Sequence, residues 1–399
     1  MIGRLTALFV GMALGSAALQ ARPAPEPACP SPRWQVAANF ENDLFGATDR
    51  YYTNGFSLAA VKVTDAAPAC AELQQWLRFP AGDVERSGLG WEFGQLMFTP
   101  QDIARPDPKP DDQPYAGWLF VGVHRQIEHR GRLDIIGLKA GMVGPASLAH
   151  QTQDTVHRWR GIARAQGWRH QLHNEPGVVL AYEQRRRFAL RTGLWGADAI
   201  PFAGLNMGNV LTSAQAGAQL RFGRHIPADY GTSFLRQIGS VPTLCAGPAR
   251  WGAHAFGVAG GSWVARNLFL DGNTFRSSPS VQKKPCFAAW GGGLGVTGPR
   301  CKLTFTYVWM TSEFDVQSGV QLFGSIMIET SFCAGSRMAG WRRAVNCAGA
   351  RTIGRGRTQR PPMQPRLSVA RGFSPRFGVS PRDDVRAEAP HYAERFPPP

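Results

Sequence analysis

WQVAANFENDLFGATDRYYTNGFSLAAV, residues 34–61, is the stretch from which the rest of the chain can be read. In its first half Trp34, Val36, Ala38 and Phe40 fall on one face, and Gln35, Ala37, Asn39, Glu41 and Asp43 on the other. In its second half Phe56, Leu58 and Ala60 oppose Thr53, Gly55, Ser57 and Ala59. Side chains alternate across a β-strand with period two, so two such runs about a polar loop predict an antiparallel hairpin. The tip of that hairpin gathers Glu41, Asn42, Asp43, Asp49, Thr53 and Asn54. Such a density of oxygen donors is unusual beside flanks built of small and apolar residues.

The same alternation recurs downstream. In KLTFTYVWM (302–310), Leu303, Phe305, Tyr307 and Trp309 share a face. In VQLFGSIMIETSF (320–332), Val320, Leu322, Ile326 and Ile328 oppose Gln321, Ser325, Glu329 and Ser331. Further candidate strands are 89–98, 116–127, 133–143, 177–187, 189–204, 209–222, 253–269 and 286–297. Together these predict an all-β chain, a transmembrane antiparallel β-barrel of about twelve strands, with a short helix in an external loop. A soluble β-sandwich also alternates, and the pattern alone leaves it open. Aromatic residues at 11%, 46 glycines and only 18% charged residues suit either β architecture better than a helical enzyme. If the N-terminus is periplasmic, the first strand runs outward. Asp43 and Thr53 then lie at the external end of the first hairpin, on the lumen-side parity.

Residues 1–21 read as a secretory signal: Arg4, an apolar run from Leu5 to Leu19, and a small-residue exit with cleavage after Ala21. The run is too short to span a bilayer, so any membrane crossing must be made by strands of the barrel. Residues 22–33 form a Pro-rich leader, 34–332 the barrel domain, and 333–399 a basic Pro/Arg-rich tail without periodicity, expected to be disordered. That tail holds thirteen Arg against four acidic residues, so more than half of the net charge of +16 is concentrated there. Predicted export and the lack of interleaved aromatics argue against nucleic acid as its partner; attraction to anionic lipid or sugar headgroups fits better. Seven cysteines (29, 70, 245, 286, 301, 333 and 347) show no metal-binding spacing, and Cys286 with Cys301 could staple neighbouring strands.

Between the strands near 143 and 177 lies GPASLAHQTQDTVHRWRGIARAQGWRHQLHNEPG. Ser147 could cap a helix there, and Leu148, Thr152, Val156, Trp159 and Ala163 recur at helical spacing. Gln153 and His157, four apart, would share one face. An imidazole beside a carboxamide suits general-base work, although a surface histidine would read the same. Asn42 and Asp43 offer hard oxygen ligands that favour Ca²⁺, with Asp49 and Glu41 as possible further donors; an Asx-rich turn explains the same residues. No G-x-S-x-G, H-E-x-x-H, Walker loop or C-x-x-C is present, so a water-activating base is the economical route to any hydrolysis.

Taken in order, ENDLF…TDRYYTNG (41–55), MFTP…QPYAGWLF (97–120), GPASLAHQTQDTVH (144–157) and GWRHQLHNEP (167–176) resemble the outer-membrane lipid A 3′-O-deacylase family. MGN (207–209), RFG (221–223), FLDGNTF (269–275) and SEFDVQ…FGS (312–325) fit its later strands. The resemblance spans 34–332. It implies a twelve-stranded barrel in the bacterial outer membrane, calcium-dependent hydrolysis of an ester on lipid A, and assembly by the barrel assembly machinery. It further implies His157 as the general base, Gln153 beside it, Asn42 and Asp43 close to the metal and the ester, and Thr53 completing the pocket. Two departures stand out. Basic residues commonly precede PYAG in the family, where they could hold a lipid A phosphate. Here Asp112 and Gln113 stand there, leaving Arg105 and Lys109 as partial substitutes. The family also tends to end on a terminal aromatic, a place Phe332 fits, but the tail continues beyond it. A non-catalytic barrel of the same fold, structural, adhesive or porin-like, is the alternative reading.

Overall fold

The computed structural model describes residues 33–46, 49–64, 84–191, 194–232, 242–244 and 250–333. The signal segment, nearly all of the leader, the tail from 334 and Cys29, Cys70, Cys245 and Cys347 lie outside the described residues.

Among the described residues thirteen strands follow one another: β1 (Arg33–Asn42), β2 (Tyr51–Thr64), β3 (Arg86–Thr99), β4 (Ala116–His129), β5 (Arg132–Val143), β6 (Glu175–Arg186), β7 (Phe188–Arg191), β8 (Trp195–Gly208), β9 (Leu211–Arg224), β10 (Gly252–Asn267), β11 (Cys286–Thr297), β12 (Cys301–Met310) and β13 (Gln321–Cys333). Consecutive strands pair antiparallel, β6 and β7 excepted, and β1 pairs with β13. β6 and β7 both pair with β8, Arg185 opposite Phe202 and Phe188 opposite Ala199, so they are one barrel strand broken at Arg187. The result is a closed antiparallel barrel of twelve strands, with no open edge to satisfy.

The expected alternation is present along 34–40, with Gln35 and Asn39 buried and Phe40 exposed; beyond it Asn42 and Asp43 are both buried, and Asp43 belongs to a 3₁₀ turn rather than the strand. Val121, Leu138, Leu180, Leu220 and Leu294 form part of the same apolar outer belt. Polar residues line the inside, many as ion pairs, with Lys139 Nζ 2.7 Å from Glu92 and Arg221 Nη2 2.7 Å from Asp198. Pairing the charges inside the barrel offsets much of their desolvation cost. At one rim the interior is filled by aromatics: Phe98 stacks on Phe269 at 4.2 Å and Tyr52 meets Phe323 edge-on at 5.2 Å. Towards the opposite rim, Tyr230 and Leu244 pack inward against Val61, Val63, Leu133 and Ile135.

Two expectations need correction. The candidate strand 189–204 merges the end of β7 with most of β8, because both halves alternate and periodicity does not mark the turn between them. Cys286 and Cys301 are both free. They sit at opposite ends of the β11–β12 hairpin, where Ala289 faces Met310 and Thr297 faces Lys302, so the antiparallel pairing itself separates them.

Candidate active site

Adjacent residues of β3 belong to two different cores. Phe98 packs in the interior cluster with Tyr52, Trp118 and Phe269. Met97 packs with Tyr115, Ala149, Ala165 and Trp168 in a cluster on the other side of the wall. Strand parity fixes which side that is. Trp91 and Phe93 on β3, and Val121 and Val123 on β4, are exposed odd-numbered residues of the outer belt. Met97 and its cross-strand partner Gly117 continue that outer face. A helix, α1 (Ala149–Arg160), lies against β3 and β4 there. A Cβ on Gly117 would run into Ser147 Oγ and Ala149 Cβ, so only glycine lets the helix approach the wall this closely. Gln95, also outward, donates to the Ser147 carbonyl at 2.6 Å.

The same geometry corrects the parity reading of Thr53. The β2–β3 register shifts between Tyr52 and Asn54, so Tyr52 faces Phe98 inside while Asn54 faces Met97 outside. This β-bulge turns Thr53 to the outer side, where its Oγ1 lies 2.7 Å from Thr99 Oγ1. Glu41 stays inside, accepting from Asn39 Nδ2 at 3.0 Å and from the Tyr52 hydroxyl, and does not join the site.

The helix start also differs from the sequence reading. Ser147 belongs to a 3₁₀ turn, and Leu148, at φ 60° and ψ 17°, is the N-cap. A left-handed leucine costs about 1–3 kcal/mol, which the surrounding contacts hold in place. Gly161, also left-handed, ends the helix, so Ala163 lies beyond it. The side facing the wall carries Ala149, Gln153 and His157, all buried; Leu148, Val156 and Trp159 are exposed.

His157 Nδ1 lies 2.5 Å from the Ala163 carbonyl oxygen, which can only accept, so Nδ1 carries the proton. Nε2 is left facing Asp49 Oδ2 at 3.4 Å. Gln153 Nε2 reaches the other Asp49 oxygen at 3.4 Å, and its Oε1 accepts from Trp168 Nε1 at 2.7 Å. Asp49 therefore bridges the two helix residues. Burial pushes its carboxyl above the ordinary range, while His157, Gln153 and Arg160 pull the other way. Asp43 is more extreme: burial, with repulsion from Asp49 as a smaller contribution, raises it to about 9 against the bond from the Arg50 amide at 2.5 Å. Asn42 turns its Oδ1 to the Leu44 amide at 2.8 Å and so shapes the turn carrying Asp43.

Asp49 also opens onto a cleft of about 490 Å³ lined by Gln101, Asp102, Arg105, Lys109 and Asp112. Of the positions before PYAG, Asp112 accepts from the Gln101 amide at 2.9 Å and buried Gln113 donates to the Phe269 carbonyl at 2.8 Å. Both hold loops together, and the cations of the cleft come from Arg105 and Lys109.

Sequence reading missed Asp49 as the histidine's partner, together with Trp168, Thr99 and the Ala163 carbonyl. Only the TDRYYTNG loop gave a signal for Asp49. Among the described residues no three acidic, histidine or cysteine side chains cluster for a metal. A cation here would rely on Asp43 and Asp49 with amide, hydroxyl and water oxygens, a hard-donor set of the kind Ca²⁺ takes and Zn²⁺ does not.

A closed twelve-stranded barrel with an apolar belt, carrying a histidine–carboxylate cleft on the outer face of its wall, defines a membrane-barrel protein with a site at its rim. The family model for the outer membrane protein LpxR matches residues 5–332, and the chain belongs to that family. LpxR from Salmonella typhimurium is similar in structure, with a TM-score of 0.62 at 17% identity, over 74% of this chain and 99% of that one. The β domain of the Bordetella autotransporter BrkA aligns at a TM-score of 0.37 and 13% identity, over 75% and 99% of the respective chains. No curated protein sequence matches the chain.

Proposed function

We propose that this outer-membrane protein is a lipid A deacylase, an ester hydrolase that removes the 3′-linked acyloxyacyl chain by direct attack of water. The observation that carries the reading is the orientation of His157. Its Nδ1 proton is tied to a backbone carbonyl, leaving Nε2 as a proton acceptor beside Asp49 in a cleft with two cationic side chains. Family membership and the motif resemblance support the same chemistry.

In this mechanism His157 Nε2 takes a proton from water as the water oxygen bonds to the ester carbonyl carbon. The resulting imidazolium is stabilised by the Asp49 carboxylate. Collapse of the tetrahedral intermediate breaks the bond to the sugar oxygen, which recovers the proton from Nε2 and leaves as the alcohol, with the acyl chain released as the acid. Gln153, fixed by Trp168, holds Asp49 in register. Arg105 and Lys109 bind a phosphate of the glycolipid. Calcium, held by Asp43 and Asp49 with Asn42 and Thr53 nearby, would supply positive charge for the developing oxyanion.

The test is His157→Ala in detergent with Ca²⁺ and lipid A, followed by mass spectrometry of the lipid. A loss of about 10²–10⁴-fold in rate is expected; an unchanged rate removes His157 as the base. The porin-like reading is disfavoured by the aromatic and ion-paired filling of the interior.

A further inference from the structure

The helix α1 is amphipathic in an unusual sense: its wall-facing side is polar at Gln153 and His157, and its apolar stripe lies on an exposed flank beside that side. Leu148, Thr152, Val156 and Trp159, spaced four, four and three apart, form one flank. Their apolar members are exposed, Leu148 by 50%, Val156 by 41% and Trp159 by 87%. Soluble proteins seldom leave a tryptophan so bare beside further apolar neighbours.

Three observations say what covers this stripe. The opposite flank is engaged with the loop that follows the helix: His150 stacks on Trp168 at 5.7 Å, and Asp154 lies 3.6 Å from His150 and 3.9 Å from Arg164. Secondly, α1 packs on Met97 and Gly117, outward positions of β3 and β4 that follow Phe93, Val121 and Val123 along the wall, so the helix sits where the apolar belt ends. Finally, Arg158 and Arg160, the chain neighbours of Trp159, are both exposed. A tryptophan and aliphatic stripe flanked by arginines is the composition of a helix lying in a lipid interface, its cations at headgroup phosphates.

We infer that α1 is an interfacial helix, with Val156 and Trp159 seated in the upper acyl region of the bilayer leaflet and its arginines at the headgroups. The cleft behind it then faces the leaflet sideways, so that a lipid reaches it within the membrane plane. The docking inference does not depend on hydrolysis and is tested without it.

Full-length wild-type protein and the Trp159→Phe variant are reconstituted in phosphatidylethanolamine/phosphatidylglycerol vesicles, and the difference in tryptophan emission between them isolates residue 159. Bromine atoms placed near the top of the acyl chains are expected to quench that difference, and aqueous iodide to leave it unchanged. Quenching by iodide instead would put the residue in water and overturn the inference. Protection from both quenchers would mean that protein covers the stripe, which overturns it equally. Circular dichroism of the two proteins is expected to superimpose, because phenylalanine keeps an aromatic ring on an exposed helical site.

Discussion

His157 and Asp49, far apart in the chain, face each other with 3.4 Å between Nε2 and Oδ2. The separation is longer than a charge-assisted hydrogen bond, and in the proposed mechanism the pair strengthens when the ring becomes an imidazolium. Asp49→Asn keeps the shape but removes the charge that favours this imidazolium. We expect kcat to fall by about 10²-fold or more with KM little changed, read from steady-state rates on dispersed lipid A. A KM effect alone would assign Asp49 to substrate binding instead.

Trp168 holds Gln153 through one bond of 2.7 Å. Trp168→Phe deletes the donor while retaining an aromatic ring against Tyr115 and His150. The buried Gln153 oxygen is then unpaired, costing about 1–3 kcal/mol. A lower melting temperature together with a lower kcat is expected; normal kcat would mean that Gln153 does not position Asp49.

Burial disfavours the Asp43 carboxylate and pushes the group from its ordinary 3.8 up to about 9 in the folded protein. The folded state therefore holds a proton that the unfolded chain has lost across this window. This contribution to stability is full below about pH 4 and is lost as pH rises towards 9. Calcium requires the ionised form, so its binding should release a proton and tighten with rising pH. Thermal denaturation in chelator and in Ca²⁺ from pH 5 to 9 checks both slopes. Asp43→Asn should flatten the chelator slope and remove the calcium-dependent rise in melting temperature.

Arg105 and Lys109 line the cleft on a loop exposed to solvent. Exposed charge contacts contribute about 0.2–1 kcal/mol, so each alanine variant should raise KM by no more than roughly fivefold at unchanged kcat. High salt should reduce the difference between variant and wild type.

Gly117 lies directly under the start of α1. Gly117→Val places a branched side chain against Ser147 and Ala149. The barrel pairing on either side is unaffected, so strand circular dichroism and heat-modifiable migration in gels should persist while hydrolysis drops sharply. Loss of barrel and activity together would make Gly117 a folding residue.

Much of the fold is legible in the chain because a barrel strand has local rules. Gln35 and Asn39 inward and Phe40 outward follow from a period of two, whatever the neighbouring strand is. The break between β7 and β8 was not legible, since alternation continues on both sides of it. The site was half legible. Gln153 and His157 share a face because helical spacing requires it, and the acidic hairpin tip marks itself by composition.

What the sequence determined by itself is therefore periodic: strands, their apolar faces, one loop helix and the family motifs. Tertiary structure alone decided that the site lies outside the barrel wall, because a single bulge at Thr53 reverses the parity from which the lumen side was read. It also decided that Asp49 is the histidine's partner and that the apolar flank of α1 is left exposed. Those outcomes depend on which distant segments barrel closure brings side by side, and no local period encodes that.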